Sequence, residues 1–521
     1  MSNKRIYARS LAASWIGYGA NLVVMLFLSR LVVHGLGKTG YGVWSLLMTV
    51  TGYLGLIELG VRAGTGRFLN YYLGRNRQDE VDKLISTSLV FFSLIGVVVM
   101  GVAAGLGAWF SALFPKTPPA LAAQAKWVLL LTAANIWLGF MTSVFGQMLQ
   151  ARNRFDLRSV VMLVALAVRA GGTVLVLRAG GTLVALAAVL AVSSAVSLLL
   201  FVLLAKWKGA PARLSSRNVS WRTFAKVFRF GTWAFLQNVS VRIIAYTDAV
   251  VIALLLGMEE IALYSIGLVL ADYGGTFIRH VFRVIVPDAI KAAGRNDLPA
   301  LRWYVIRSTR LTLLVGIPLF VGFMTLGDNF IRLWLGPGFE ASGRILLILS
   351  VVQVASVLRW ASTMGVTAVG YVRATAMIGL ADAALNLLCS LAFVLLLGWG
   401  IYGVAAGTAV PYVLFGGSAT LVLARRRLGL RVRAFLDKLV LPAVLAGALF
   451  ALLCLSARLV VSPRSWGAFF GTAGVLLALY VPIALYVFLS GEERAAAFQR
   501  IRLLAIGLGG GGLRPAWRSK R

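Results

Sequence analysis

The feature that most constrains this chain is a recurrence of apolar stretches, about fourteen of them, each long enough to cross a lipid bilayer as a helix. A helix rises 1.5 Å per residue, so roughly 20 mainly apolar residues span the hydrocarbon core. The stretches fall near 10–34, 41–63, 84–110, 126–149, 158–178, 182–205, 229–256, 261–287, 305–326, 341–363, 374–397, 401–424, 436–458 and 467–490. Only three residues, Ala179–Gly181, separate the fifth from the sixth. The fold class that follows is all-α: a polytopic membrane protein of about 14 transmembrane helices. Composition agrees, because 60% of residues are hydrophobic and 13% charged, against about 25% charged in soluble domains.

The net charge of +34 would suggest nucleic acid in a soluble protein. Here it follows the loops. One set holds Arg75, Arg77 and Lys83; Arg152, Arg154 and Arg158; Lys206, Lys208, Arg213, Arg217, Arg222 and Lys226; Lys291, Arg295 and Arg302; and Arg425, Arg426, Arg427, Arg431 and Arg433. The tail adds Arg494, Arg500, Arg502, Arg514, Arg518, Lys520 and Arg521. The opposite loops hold Lys38, Lys116, Arg178, Arg332, Arg458 and Arg464, a roughly fourfold deficit. Basic loops stay cytoplasmic, so both termini are expected in the cytoplasm and no nucleic-acid partner is implied. The start at Lys4, Arg5 and Arg9 resembles a signal peptide, but the apolar run is too long and reads as a retained first helix. The expected organisation is a six-helix lobe over 1–205, a cytoplasmic linker over 206–228, a second six-helix lobe over 229–430, an added helix pair over 431–490 and a basic tail over 491–521.

An internal repeat supports that division. Leu36-Gly37 precedes Trp44-Ser45-Leu46 with the same spacing by which Leu256-Gly257 precedes Tyr264-Ser265-Ile266. The offset is 220 residues. Two halves inserted in one orientation are parallel repeats about an axis along the membrane normal, and they can rock around a central cavity.

Charges inside the spans are costly and need a partner or a wet cavity. The acids are Glu58, Asp248, Asp272 and Asp382, with roles expected in charge balance or ion coupling. The bases are Arg30, Arg169, Arg242 and Arg359, with Arg62, Arg279 and Arg283 nearer the cytoplasmic ends. Helical spacing puts Glu58 with Arg62, Arg30 with His34, Asp382 with Asn386, and Asp272 with Arg279 and Arg283 on shared faces. Arginine's planar fork suits phosphate, so Arg30, Arg242, Arg359, Arg279 and Arg283 are the candidate substrate-binding residues. Asp248 and Asp272 are placed to neutralise them or to bind a coupling proton or sodium ion. Pro318, Pro411, Pro442 and Pro482 lie within spans and can bend them. Asp79, Glu80 and Asp82 read as a solvated loop. Cys389 and Cys454 read as packing residues, and two distant histidines, His34 and His280, give no metal site. No cofactor motif, ATP-binding loop or catalytic set is evident, so no enzyme activity is expected.

These residues also carry a resemblance. The stretch Ser29–Arg67, with its Gly turn, Tyr41-Gly42-Val43-Trp44-Ser45 opening and Glu58-Leu59-Gly60 end, resembles the first hairpin of polysaccharide exporters of the MOP (multidrug/oligosaccharidyl-lipid/polysaccharide) superfamily. Thr247–Gly267, with Asp248 and Tyr264, resembles the seventh-to-eighth hairpin, Val286-Pro287 its end, and Ala384-Leu385-Asn386 with Gly400–Thr408 a later pattern. The resemblance implies a MATE-like fold with a cationic cavity. It also implies a Wzx-like flippase for undecaprenyl-diphosphate-linked oligosaccharide in the bacterial inner membrane, working beside membrane lipids and a polysaccharide polymerase or chain-length machinery. A lipid II flippase and a multidrug or cation antiporter are the alternatives within the superfamily. The chain departs from its relatives in a longer 206–228 loop and tail, and in lacking an Arg-Asp pair on the first span, which lowers the lipid II reading.

Overall fold

The computed structural model describes residues 2–152, 154–207, 213–282, 285–461, 463–489 and 494. Among them every regular element is helical. In chain order these are α1 (Ser2–Leu54), α2 (Glu58–Gly74), α3 (Gln78–Ala108), α4 (Phe110–Leu113), α5 (Pro119–Ala151), α6 (Phe155–Arg178), α7 (Leu183–Trp207), α8 (Trp221–Leu255) and α9 (Met258–Phe282). There follow α10 (Val286–Gly294), α11 (Leu298–Leu335), α12 (Glu340–Ala368), α13 (Val372–Leu395), α14 (Gly400–Pro411), α15 (Gly417–Leu428), α16 (Val432–Phe435), α17 (Leu441–Val460) and α18 (Trp466–Phe488).

Twelve helical stretches among the described residues are long and apolar enough to cross a membrane, against the fourteen expected. The difference lies at the first two spans and at the seventh. The first two spans run together as α1, broken only at Gly37, whose φ of 69° takes the left-handed region that glycine enters freely. The seventh is the 35-residue helix α8, whose C-terminal part from Val239 to Leu255 carries only Arg242 and Asp248 as charges. The tight hairpin between α6 and α7 turns at Gly180, φ 68°. Of the four prolines, Pro318 and Pro482 lie inside α11 and α18, while Pro411 and Pro442 border π-helical turns at Tyr412–Gly416 and Leu436–Val440.

Helix packing follows the order of the chain. In the first half α5 packs on α3 and α7, and α6 on α7. In the second half α11 packs on α12, α13 on α8 and α14, and α9 on α12, while α17 and α18 lie against α11. Lipid chains are as apolar as leucine, so helices associate through close packing. Gly96 of α3 shows how: a Cβ there would collide with the Trp137 ring of α5. Phe92 and Phe140, both fully buried, stack on the same seam at 5.5 Å.

Between the halves, α1 meets α8 and α9, and α2 meets α8. On the side away from the basic loops, Gly42 abuts the carbonyl of Met258, and Thr39 Oγ1 donates to Glu259 Oε1 at 3.0 Å. Thr39 and Glu259 are 220 positions apart. Residues related by the repeat offset can touch only beside the axis that relates the halves, so this contact marks it.

On the basic side the acidic cluster is not a solvated loop. Asp79 and Glu80 occupy the first turn of α3, where the helix dipole favours them. Asp82 is buried, and its Oδ1 accepts the backbone N–H of Arg213 at 3.1 Å. Ser86 and Thr87 accept those of Ser215 and Ser220. One face of α3 thus holds the segment leading into α8. That helix starts at Trp221, inside the loop expected over 206–228. Asp82→Ala removes the acceptor for the Arg213 N–H, a loss of about 0.5–1.5 kcal/mol. Trypsin should then cut at Arg213 and Arg217 several-fold faster, as read by gel time course; unchanged cleavage would show that Asp82 does not hold the segment.

Candidate functional site

A chain of polar side chains crosses the apolar interior of the second half. Asp248 of α8 is buried, and its Oδ2 accepts from Tyr264 Oη of α9 at 2.5 Å and from Thr408 Oγ1 of α14 at 2.9 Å. Asn386 Nδ2 of α13 donates to the same Thr408 hydroxyl at 2.7 Å. One turn earlier on α13, buried Asp382 pairs with Arg359 of α12, whose guanidinium lies 4.7 Å from the Tyr412 ring centroid. The pair fits because the π-helical turn after Pro411 brings Gly416 against it; a Cβ there would overlap both partners. Asp248 Oδ1, Asp382 Oδ1 and Asn386 Oδ1 are buried without hydrogen-bond partners. Buried oxygens in that state are uncommon in folded proteins. As hard oxygen donors, they suit a proton or a monovalent cation.

The other candidates are placed as follows. Arg279 of α9 binds Asp272 at 3.1 Å and Thr276, in a more open setting than Arg359. The Tyr412 ring lies against Arg359, and Arg279 is near enough for its charge to act there. Arg242 is exposed and lies 6.0 Å from the Tyr246 ring, which packs beside Gly52 and Tyr53 of α1. Arg30 is exposed, with its carbonyl bonded to His34 one turn on. Glu58 pairs with Arg62 at 3.4 Å and faces Ser143. Arg283 lies outside the described residues. The structure therefore brings Arg359 and Asp382 together at Tyr412, with Arg279 nearby on α9; Asp272 joins only through Arg279, and Asp248 through Thr408 and Asn386, one turn beyond Asp382 on α13. Of the two roles expected for Asp248, its hydroxyl partners leave it without an arginine, whereas Asp272 and Asp382 each hold one.

Three contributors were not singled out for the site from the sequence. Tyr264 was visible only as the repeat's aromatic. Thr408 was visible only as the last residue of the Gly400–Thr408 pattern, and Tyr412 had no signal beyond following Pro411, where a span bends.

Comparison with known proteins places this arrangement. The chain is 24% identical to the uncharacterized membrane protein EpsK of Bacillus subtilis (strain 168), over 94% of this chain and 98% of that one. It is 21% identical to a Shigella flexneri protein provisionally named as an O-antigen transporter, over 76% and 93% respectively. Among solved structures it resembles the lipid II flippase MurJ in an inward closed conformation, with a TM-score of 0.67 and 17% identity over 94% of this chain and 98% of that one. It also resembles an inward-facing multidrug resistance MATE family transporter of the MOP superfamily, with a TM-score of 0.70 and 15% identity over 78% and 94%. The two structures show the fold to be that of MATE and MurJ proteins. The model of the polysaccharide biosynthesis protein family matches residues 27–343, more than half of the sequence, and this multi-pass membrane chain belongs to that family.

Proposed function

We propose that this protein flips undecaprenyl-diphosphate-linked oligosaccharide, the repeat unit of an O-antigen, exopolysaccharide or capsule, across the bacterial inner membrane. Its termini lie in the cytoplasm, where the basic loops belong. Lobes 1–205 and 229–430 rock about the axis beside Thr39 and Glu259, joined by 206–228, while the 431–490 pair and the 491–521 tail stay outside the rocking bodies. The observation that carries the reading is the pair of guanidinium groups held within the helical bundle, Arg359 against the Tyr412 ring and Arg279 nearby on α9. Guanidinium groups there match the diphosphate bidentately. Arg30 and Arg242, both exposed and without a carboxylate partner among the described residues, serve the same anion or acidic sugars.

The buried oxygens of Asp248, Asp382 and Asn386 serve a coupling proton or sodium ion, and Asp272 and Glu58 balance charge. Translocation makes and breaks no covalent bond, so no catalytic group is required. A polysaccharide polymerase or chain-length machinery receives the product. An excess of arginine suits an anion better than a drug cation.

Arg279→Gln and Arg242→Gln, at normal protein level in a flippase-deficient strain, should each lower surface polysaccharide at least tenfold. Normal export by both variants would overturn the anion-cavity reading. So would resistance to cationic drugs in place of glycan export.

A further inference from the structure

We infer that α6, in the first half of the chain, carries an anion-binding track, with Arg158 at its entrance and Arg169 as its mid-membrane station. The track deepens the transport reading and rests on it. Arg158 and Arg169 are eleven residues apart on one unbroken helix. At 3.6 residues per turn that separation returns to within about 20° of the same face, about 16 Å further along the axis. The two guanidinium groups therefore share one stripe that runs inward from the basic side.

At the entrance, Arg158 donates to Gln150 of α5 and faces Arg62 of α2. The carboxylates next to it in the chain and beside Arg62 are already taken: Asp156 by Arg154 at 2.9 Å and Glu58 by Arg62 at 3.4 Å. The entrance is left with positive charge in excess. Deeper in, Arg169 has no carboxylate partner among the described residues. What faces it is Tyr273 of α9, from the other half of the chain, and Tyr273 in turn faces Ser29 of α1. Arg169 is half-buried, on a helix that packs against α1, so it sits where the two halves meet.

Arginine keeps its charge in proteins. An unpaired charge within a membrane span is retained only for a partner, a watery pathway or a ligand. With no carboxylate from the protein, the matching charge is an oxyanion of the cargo: the diphosphate that links lipid to glycan, or the carboxylate of an acidic sugar. The fork of Arg169 takes either bidentately.

The test uses the full chain in nanodiscs and two probes, farnesyl diphosphate and trigalacturonate, with binding read by thermophoresis. Arg169→Gln should weaken at least one probe tenfold or more, and Arg169→Lys, which keeps charge without the fork, should weaken it less. Loss confined to farnesyl diphosphate identifies the linker as the ligand at Arg169, and loss confined to trigalacturonate identifies the glycan. If Arg169→Gln binds both probes like the parent while Arg279→Gln does not, the track falls and the cavity reading survives. If the parent binds neither probe, both fall. Should Arg169→Gln fail to fold, Arg169→Lys carries the test, and undiminished binding of both probes overturns the track.

Discussion

Arg359→Met should be among the most destabilising single changes in the protein, costing about 3–5 kcal/mol. The reason is the partner it leaves behind. Asp382 is 1% exposed and its Oδ1 already lacks a hydrogen bond. Without Arg359 the carboxylate keeps no charged partner among the described residues. The companion change Asp382→Leu removes that stranded charge, and a buried ion pair replaced as a whole by apolar side chains is often neutral or stabilising. The double variant Arg359→Met/Asp382→Leu should therefore recover most of the stability, measured as the folded fraction against denaturant in detergent. It should still fail to export polysaccharide, because it lacks both the anion-binding fork and one of the buried oxygens. Wild-type stability in the single variant would show the pair to be dispensable. Full export by the double variant would show it to be structural only.

The fold was largely legible in the sequence because a bilayer admits few solutions. Long apolar runs, with every backbone group paired internally, have to be helices. The turns at Gly37 and Gly257 followed from the repeat, and both glycines take positive φ. The same offset relates Tyr53 to Tyr273. Tyr53 Oη lies 2.9 Å from Thr247 of α8, and Tyr273 faces Ser29 of α1, so each reaches across to the opposite half. That pair was present in the sequence and passed unremarked, because a tyrosine in an apolar span carries no pattern of its own.

The site was less legible. Spacing along one helix predicted Glu58–Arg62 and Asp272–Arg279, since both are intrahelical pairs. It was silent on Arg359–Asp382, which joins α12 to α13, and on Asp248 with Thr408, which joins α8 to α14. Pairings between helices depend on crossing geometry, which one-dimensional spacing does not contain. The acidic cluster at Asp79–Asp82 misled for a similar reason: its partner is backbone more than a hundred residues away.

Gly42→Ala should have the second largest effect, and it should act on conformation. A Cβ at position 42 would overlap the carbonyl of Met258, and backbone on both sides of the contact leaves no flexible side chain to move aside. The hairpin tips would have to part. Their separation would disturb Thr39–Glu259 and also Lys116, whose Nζ donates to the carbonyls of Leu255 at 2.7 Å and Leu256 at 3.4 Å, at the end of α8. A hydrogen bond from a charged donor contributes about 1.5–3 kcal/mol. Loss of that much from the state in which this side is closed shifts its population by roughly ten- to a hundredfold. Transport by alternating access needs both states, so export should fall by a similar factor while total fold stability changes little. The shift is readable directly. In a background without Cys389 and Cys454, the pair Thr39→Cys and Glu259→Cys should cross-link readily, and adding Gly42→Ala should slow the reaction at least tenfold. Equal cross-linking with and without the alanine would mean that the tips do not form the closed contact, and the rocking axis would have to lie elsewhere.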